Sequence, residues 1–153
     1  MISRITTFAF EGIEAKPVDV QVHMAGGNQP AFMIVGLPDK AVAESRERVR
    51  AAFSAIGLAL PPKRITVNLA PADLPKEGSH YDLPIALGLI VAMGGLAQSE
   101  VDGFVVMGEL GLDGACIGVP GALPAAMTAM QKQMGLVCPA ACGGEAAWSG
   151  LCQ

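Results

Sequence analysis

Residues 64–93 read RITVNLAPADLPKEGSHYDLPIALGLIVAM, and three kinds of local pattern follow one another along them. RITVNLA (64–70) has the β-branched, apolar make-up of a strand. PADLPKEGSHY (71–81) is a polar loop dense in turn-forming residues. Asp82 then stands where a helix cap is expected, and the helix runs to about Met93, with Pro84 tolerated in its first turn. That helix is apolar on most sides, which predicts burial rather than a solvated face.

Outward from this block, the first third of the chain reads as strands. ITTFAF (5–10) and PVDVQVHM (17–24) are strand-like; in the second, Val18, Val20 and Val22 alternate with Asp19, Gln21 and His23. AFMIVG (31–36) is a short apolar strand that ends at a Gly-Leu-Pro turn. Asp39 is placed to cap a helix over 40–56, on which Val42, Val49, Phe53 and Ile56 form one stripe before Gly57 ends it. Downstream, FVVMGEL (104–110), GLDG and ACIGV predict a hairpin that turns at Asp113-Gly114. A helix near 122–133, a strand at LVCP (136–139) and a short helix near 144–149 follow. Strands first, then strands alternating with helices, predict one α+β domain, a mixed α/β sandwich over 1–153, without an internal repeat or linker.

Composition limits the function classes. Hydrophobic residues make up 52% and charged residues 16% of the 153, which excludes a disordered, solvating segment. Prolines and glycines break both long uncharged stretches, so no membrane span is expected, and the N-terminus lacks the pattern of a signal peptide. Cys116, Cys138, Cys142 and Cys152 have no metal-ligand spacing with one another or with His23 and His80, so no metal site is expected. Buried or incidental thiols fit a reducing cytoplasm. Trp148 reads as a packing anchor.

Charge is unevenly spread. Residues 1–80 hold nine of the ten basic and eight of the fourteen acidic residues; residues 81–153 hold Lys132 and six acids. A second half so poor in charge is either core or a surface that meets another domain or subunit.

Two long stretches, residues 30–90 and 108–126, carry a family resemblance. They contain the blocks IVGLPD, ESRERVR, ITVNLAPADLPKEGS, DLPIALG and GELGLDG in order. With the opening RITTFAFEGIEAKPVDVQV, the chain resembles the N-terminal domain of the magnesium-chelatase-like AAA+ ATPases, the ComM competence group. The resemblance implies a fold like the Lon proteolytic domain and ribosomal protein S5 domain 2. It also implies a hexameric, ATP-driven DNA helicase acting in recombination, whose partners are its own AAA+ domain, neighbouring subunits and single-stranded or branched DNA. ATP and Mg2+ belong to that AAA+ motor, which is expected outside residues 1–153, because no G-x-x-x-x-G-K-[ST] loop occurs here. No cofactor is expected for the present chain.

Lon-type proteolysis needs a Ser–Lys pair. Alignment to the Lon loop implied by the resemblance puts His80 at the nucleophile position, with Ser79 one residue early, and Leu123 at the lysine position. No base stands between Ala115 and Met130 to activate a serine, so no catalytic residue is assigned. The positive cluster is Lys40, Arg46, Arg48, Arg50, Lys63, Arg64 and Lys76, interleaved with acids. Its plain reading is a solvated face, and its sharper reading is phosphate contact. On a helical wheel Arg46 and Arg50 edge the apolar stripe and Arg48 points away. The expectation is therefore a structural Arg46–Asp82 pair, with Arg48, Lys63, Arg64 and Lys76 free to meet DNA. His80 reads as a surface or capping group. Three classes stay open: an accessory domain of a DNA-remodelling ATPase, a Lon-like serine hydrolase, and a protein-interaction module of a chelatase-type complex.

Overall fold

The computed structural model describes residues 2–147. Six strands form one sheet in the order β3-β4-β2-β1-β5-β8: β1 (Ile2–Glu11), β2 (Glu14–Ala25), β3 (Ala31–Val35), β4 (Arg64–Ala70), β5 (Phe104–Val106) and β8 (Gly135–Val137). β1, β2 and β4 pair antiparallel, whereas β3–β4, β1–β5 and β5–β8 pair parallel. A two-stranded hairpin, β6 (Glu109–Leu110) with β7 (Cys116–Ile117), stands beside it. The helices are α1 (Asp39–Ala55), α2 (Asp82–Ala92), α3 (Gln98–Val101), α4 (Ala122–Gln131) and α5 (Gly143–Ala147), with a 3-10 turn over Ala140–Cys142. The expected mixed α/β sandwich is what forms.

Side-chain alternation explains the layers. Val18, Val20, Val22 and Met24 of β2 and Ile65, Val67 and Leu69 of β4 face α1 and α2 and are buried. Odd residues of β1, such as Ile5 and Ala9, join that core, while Phe8 faces the other way and packs with Val105 and the Ala122, Ala125, Ala126 and Ala129 stripe of α4. The small alanines let α4 approach its side of the sheet closely. The central strand β1 is thereby covered on both faces. Full burial of Ile85 and Leu89 on α2 contributes about 1.5–3 kcal/mol each.

The first three strands, the 39–55 helix and the Asp113-Gly114 hairpin match expectation closely. Two local features differ. Residue 104–110 is not one strand: it breaks at Met107–Gly108, where the Gly108 N–H donates to the His80 carbonyl at 3.0 Å and the Gly108 carbonyl accepts from the Leu83 N–H at 3.0 Å. These tertiary bonds turn the chain out of the sheet towards α2. Neither Asp39 nor Asp82 caps its helix; Pro38 and Tyr81 occupy the cap positions without a side-chain bond. Cys116 is exposed, while Cys142 is buried with its Sγ against the Val119 backbone. Trp148 and Cys152 lie outside the described residues. No described helix is long and apolar enough to cross a membrane.

Gly88 is where α2 meets the sheet most closely. A Cβ there would stand 2.7 Å from Val22 Cγ2 and 3.5 Å from Ile5 Cγ1. The same close fit lets Ser3 Oγ donate to the Gly88 carbonyl at 2.7 Å. Gly88→Val must lift the helix from β1 and β2, and a loss of about 2 kcal/mol is expected in urea unfolding, against less than about 0.5 kcal/mol for the exposed Gly26→Ala.

Candidate nucleic-acid interface

The centre of the 64–93 block is the Asp82 carboxylate, 1% exposed. It accepts from Arg48 Nε at 2.6 Å, Arg48 Nη2 at 3.1 Å, Ser45 Oγ at 2.7 Å and the Leu110 N–H at 3.1 Å. Two-pronged arginine recognition is the strong form of the carboxylate pair. Asp82 holds the guanidinium pKa of Arg48 above its ordinary value, against the lowering effect of burial. The expected Arg46–Asp82 pair is therefore corrected to Arg48–Asp82. The buried face of α1 is Ser45, Val49, Ala52 and Phe53, whereas Ile56 is exposed. Centring the stripe on Ser45 and Ala52 rather than Ile56 puts Arg46 and Arg48 on its two opposite flanks. Arg48 turns to α2. Arg46 turns to β3, where its Nη1 approaches the Phe32 carbonyl at 3.4 Å.

His80 and Lys76 also depart from expectation. His80 is 4% exposed, and its Nε2 donates to the Phe8 carbonyl at 2.6 Å. Its ring lies between Tyr81 at 4.0 Å and Phe10 at 5.2 Å, centroid to centroid. It is a core histidine, and burial pushes its pKa below the ordinary value despite the Phe8 bond and the charge of Asp82. Phe10 in turn presses on Gly121, where a Cβ would stand 2.9 Å from the ring. An aromatic ring thus separates His80 from the start of α4, which carries Leu123. Ser79 is partly buried and makes no side-chain bond to a base. Lys76 is 3% exposed, with Nζ donating to the Pro71 carbonyl at 2.6 Å and the Leu74 carbonyl at 2.9 Å. It ties its own loop together and is not the outward donor expected of it.

The remaining cations sort by partner. Arg4 pairs with Asp19, Lys16 with Glu11, Lys40 with Glu44, and Arg48 with Asp82 and Glu44. Among the described residues Arg46, Arg50, Lys63, Arg64 and Lys132 form no ion pair; the first three lie around the start of β3, and Arg64 opens β4 beside it, on the sheet face opposite the inward Ile65. The Lys63 carbonyl accepts from the Ala31 N–H at 3.2 Å, Arg64 is in register with Ala31, and the Arg50 guanidinium sits 5.5 Å from the Phe32 ring centroid. On the sequence's helical wheel Arg46 and Arg50 edge the apolar stripe. The signal that could have placed them is their i, i+4 spacing on the flank opposite Arg48. No described group of His, Cys, Asp and Glu could hold a metal.

Residues 20–142 match the family described as subunit ChlI of Mg-chelatase. The chain belongs to the ChlI family. Among its relatives, protein YifB of Escherichia coli K12 is 47% identical over 131 residues, which are 86% of this chain and 26% of that protein. Competence protein ComM of Haemophilus influenzae is 45% identical over 126 residues, 82% of this chain and 25% of ComM. Protein Rv2897c of Mycobacterium tuberculosis is 38% identical over 128 residues, 84% and 25% of the two chains. The chain thus spans about a quarter of the length of these ChlI-family relatives.

Two outcomes follow from the site in this ChlI-family chain. Arg48→Ala strands a buried carboxylate and is expected to cost about 3 kcal/mol in denaturant unfolding, whereas Arg46→Ala costs less than about 1 kcal/mol. Equal losses would show that Asp82 does not depend on Arg48. His80 binds its proton more weakly folded than unfolded, so its contribution is complete above the ordinary histidine value of 6.5 and is lost as pH falls below it. The urea midpoint of the parent chain should be lower at about pH 5.5 than at about pH 7.5, and this drop should be smaller in His80→Gln.

Proposed function

We propose that this chain is the non-catalytic N-terminal domain of a magnesium-chelatase-like AAA+ ATPase that remodels DNA, and that it engages DNA through the cluster at the start of β3. The observation that carries the reading is that Arg46, Arg50 and Lys63 lie around the start of β3, with Arg64 next in the chain, and that none of the four has a carboxylate partner. A polyanion is the ligand such a group attracts, because each phosphate neutralised releases counterions. The family supports the wider setting: the relative in Haemophilus influenzae is named competence protein ComM. In this reading ATP and Mg2+ are bound by a motor domain outside the present sequence, the ring is hexameric, and the protein works in the cytoplasm. Lys63 and Arg64 remain DNA contacts. Arg48 and Lys76 leave that set because their charged groups are committed within the fold.

Against a Lon-like hydrolase stand the burial of His80, its bond to Phe8, and an uncharged Leu123. A contact role is favoured by a second feature. Leu123, Pro124 and Met127 of α4 border an apolar groove of about 480 Å3 with Ile13, which is 92% exposed. Its α4 side belongs to the charge-poor half of the chain, and such a groove suits docking onto the rest of a longer protein.

Four phosphate contacts give a log–log salt slope of about −3.6 on duplex DNA, with dissociation constants of about 10⁻⁴ to 10⁻⁶ M for so small a patch. Charge reversal of Lys63 and Arg64 together is expected to reduce the slope to about −1.8 and to weaken binding at low salt. Lys40→Glu, at a residue already paired with Glu44, serves as the control. Normal binding by the Lys63→Glu, Arg64→Glu chain in a fluorescence anisotropy titration would assign the cluster to a solvated face.

A further inference from the structure

Beside the unpaired cations lies a small cleft of about 200 Å3 between β3, the end of the loop after α1 and the flank of α1. Leu60, Pro61 and Pro62 form one side, Ala31 and Phe32 the floor, and Arg50 with Lys63 the rim. It combines features that the rest of the cluster lacks. The proline rings and Leu60 are apolar, so a phosphate alone would gain nothing by entering. The rim carries two positive charges without carboxylate partners, so an uncharged apolar ligand would leave them unused. Glu47, exposed on the same helix, forms no ion pair with either.

We propose that this cleft receives one unstacked nucleobase of a single-stranded nucleic acid, with Arg50 and Lys63 on its flanking phosphates. The inference rests on the DNA reading above and narrows it from a polyanion to a strand with exposed bases. Arg50 is held for the purpose: its guanidinium is braced over Phe32, which is itself buried, so the planar group is positioned without a carboxylate. The apolar wall of Leu60, Pro61 and Pro62 offers a face against which an unstacked base packs, while the Arg50 guanidinium edge meets the phosphate. A volume of this size admits a single base and excludes a paired one, so a duplex would meet only the rim. Recognition by stacking is tolerant of sequence, since every base has a π-face.

The test compares strands that share a backbone and differ in bases. The 153-residue chain is titrated, at one low salt concentration, against fluorescein-labelled oligothymidylate and against a strand of the same length built wholly of abasic sites. The expected result is binding about tenfold weaker for the abasic strand, with the difference collapsing in Pro62→Ser, whose exposed loop position leaves the fold intact. Duplex of the same length should resemble the abasic strand rather than the thymidylate. Equal, salt-sensitive binding of thymidylate and abasic strands would overturn the base pocket while leaving phosphate engagement standing. Absence of salt-sensitive binding to any of the three would overturn both. Thermal unfolding of Pro62→Ser at the parent temperature ensures that its result reports the cleft.

Discussion

A carboxylate removed from water is tolerated only when donors replace the lost hydration, and Asp82 receives four of them. They come from two elements other than its own: Ser45 and Arg48 from α1, and the Leu110 N–H from β6. The three elements can therefore meet in one way only. Because α1 must present Ser45 and Arg48 to α2, its rotation about its axis is fixed, and Arg46 and Arg50 are carried to the opposite flank over β3. The cation cluster is in this sense a consequence of a buried ion pair that takes no part in it. The same pair pins the start of α2, on which the His80 carbonyl and the Gly108 bonds depend.

Around His80 the fold has been filled rather than opened. Tyr81 and Phe10 sandwich the imidazole, and Phe10 continues to the backbone of Gly121. Burial among these rings favours the neutral imidazole and outweighs the pull of the Phe8 carbonyl and the Asp82 charge towards the protonated form. A group so enclosed contributes cohesion between β1 and α2, and it offers no atom to an incoming molecule. The basic cluster is the converse: its cations lack carboxylate partners and lie where a helix meets two strands.

Much of this architecture was legible in the chain because local and tertiary demands agree there. The alternation of Val18, Val20 and Val22, the apolar 82–93 helix and the Asp113-Gly114 turn each specify one structure on their own. The misplaced features are those that a tertiary contact decides. Gly108 lies in an apolar, strand-like run, and only its bonds to His80 and Leu83 reveal the break. Lys76 in a polar loop resembles a solvated lysine until two carbonyls close around its ammonium. Arg46 and Arg48 are two residues apart, and a small shift in the centre of the buried stripe exchanges their roles. Of the candidate interface, Lys63 and Arg64 were visible as charges; the Arg50–Phe32 stack was not, since nothing in the sequence joins residue 32 to residue 50.

β3 is the outermost strand of its sheet, and such a margin ordinarily invites another strand to continue the ladder. Here the Phe32 carbonyl is met by Arg46, and Arg50 stands over the same residue. Two bulky cations on a five-residue margin repel an identical margin brought alongside it, and one of them occupies an acceptor that a new strand would need. Such a margin works against edge-to-edge pairing of two copies. The positive charge that makes the margin attractive to an anion also makes it a barrier to aggregation.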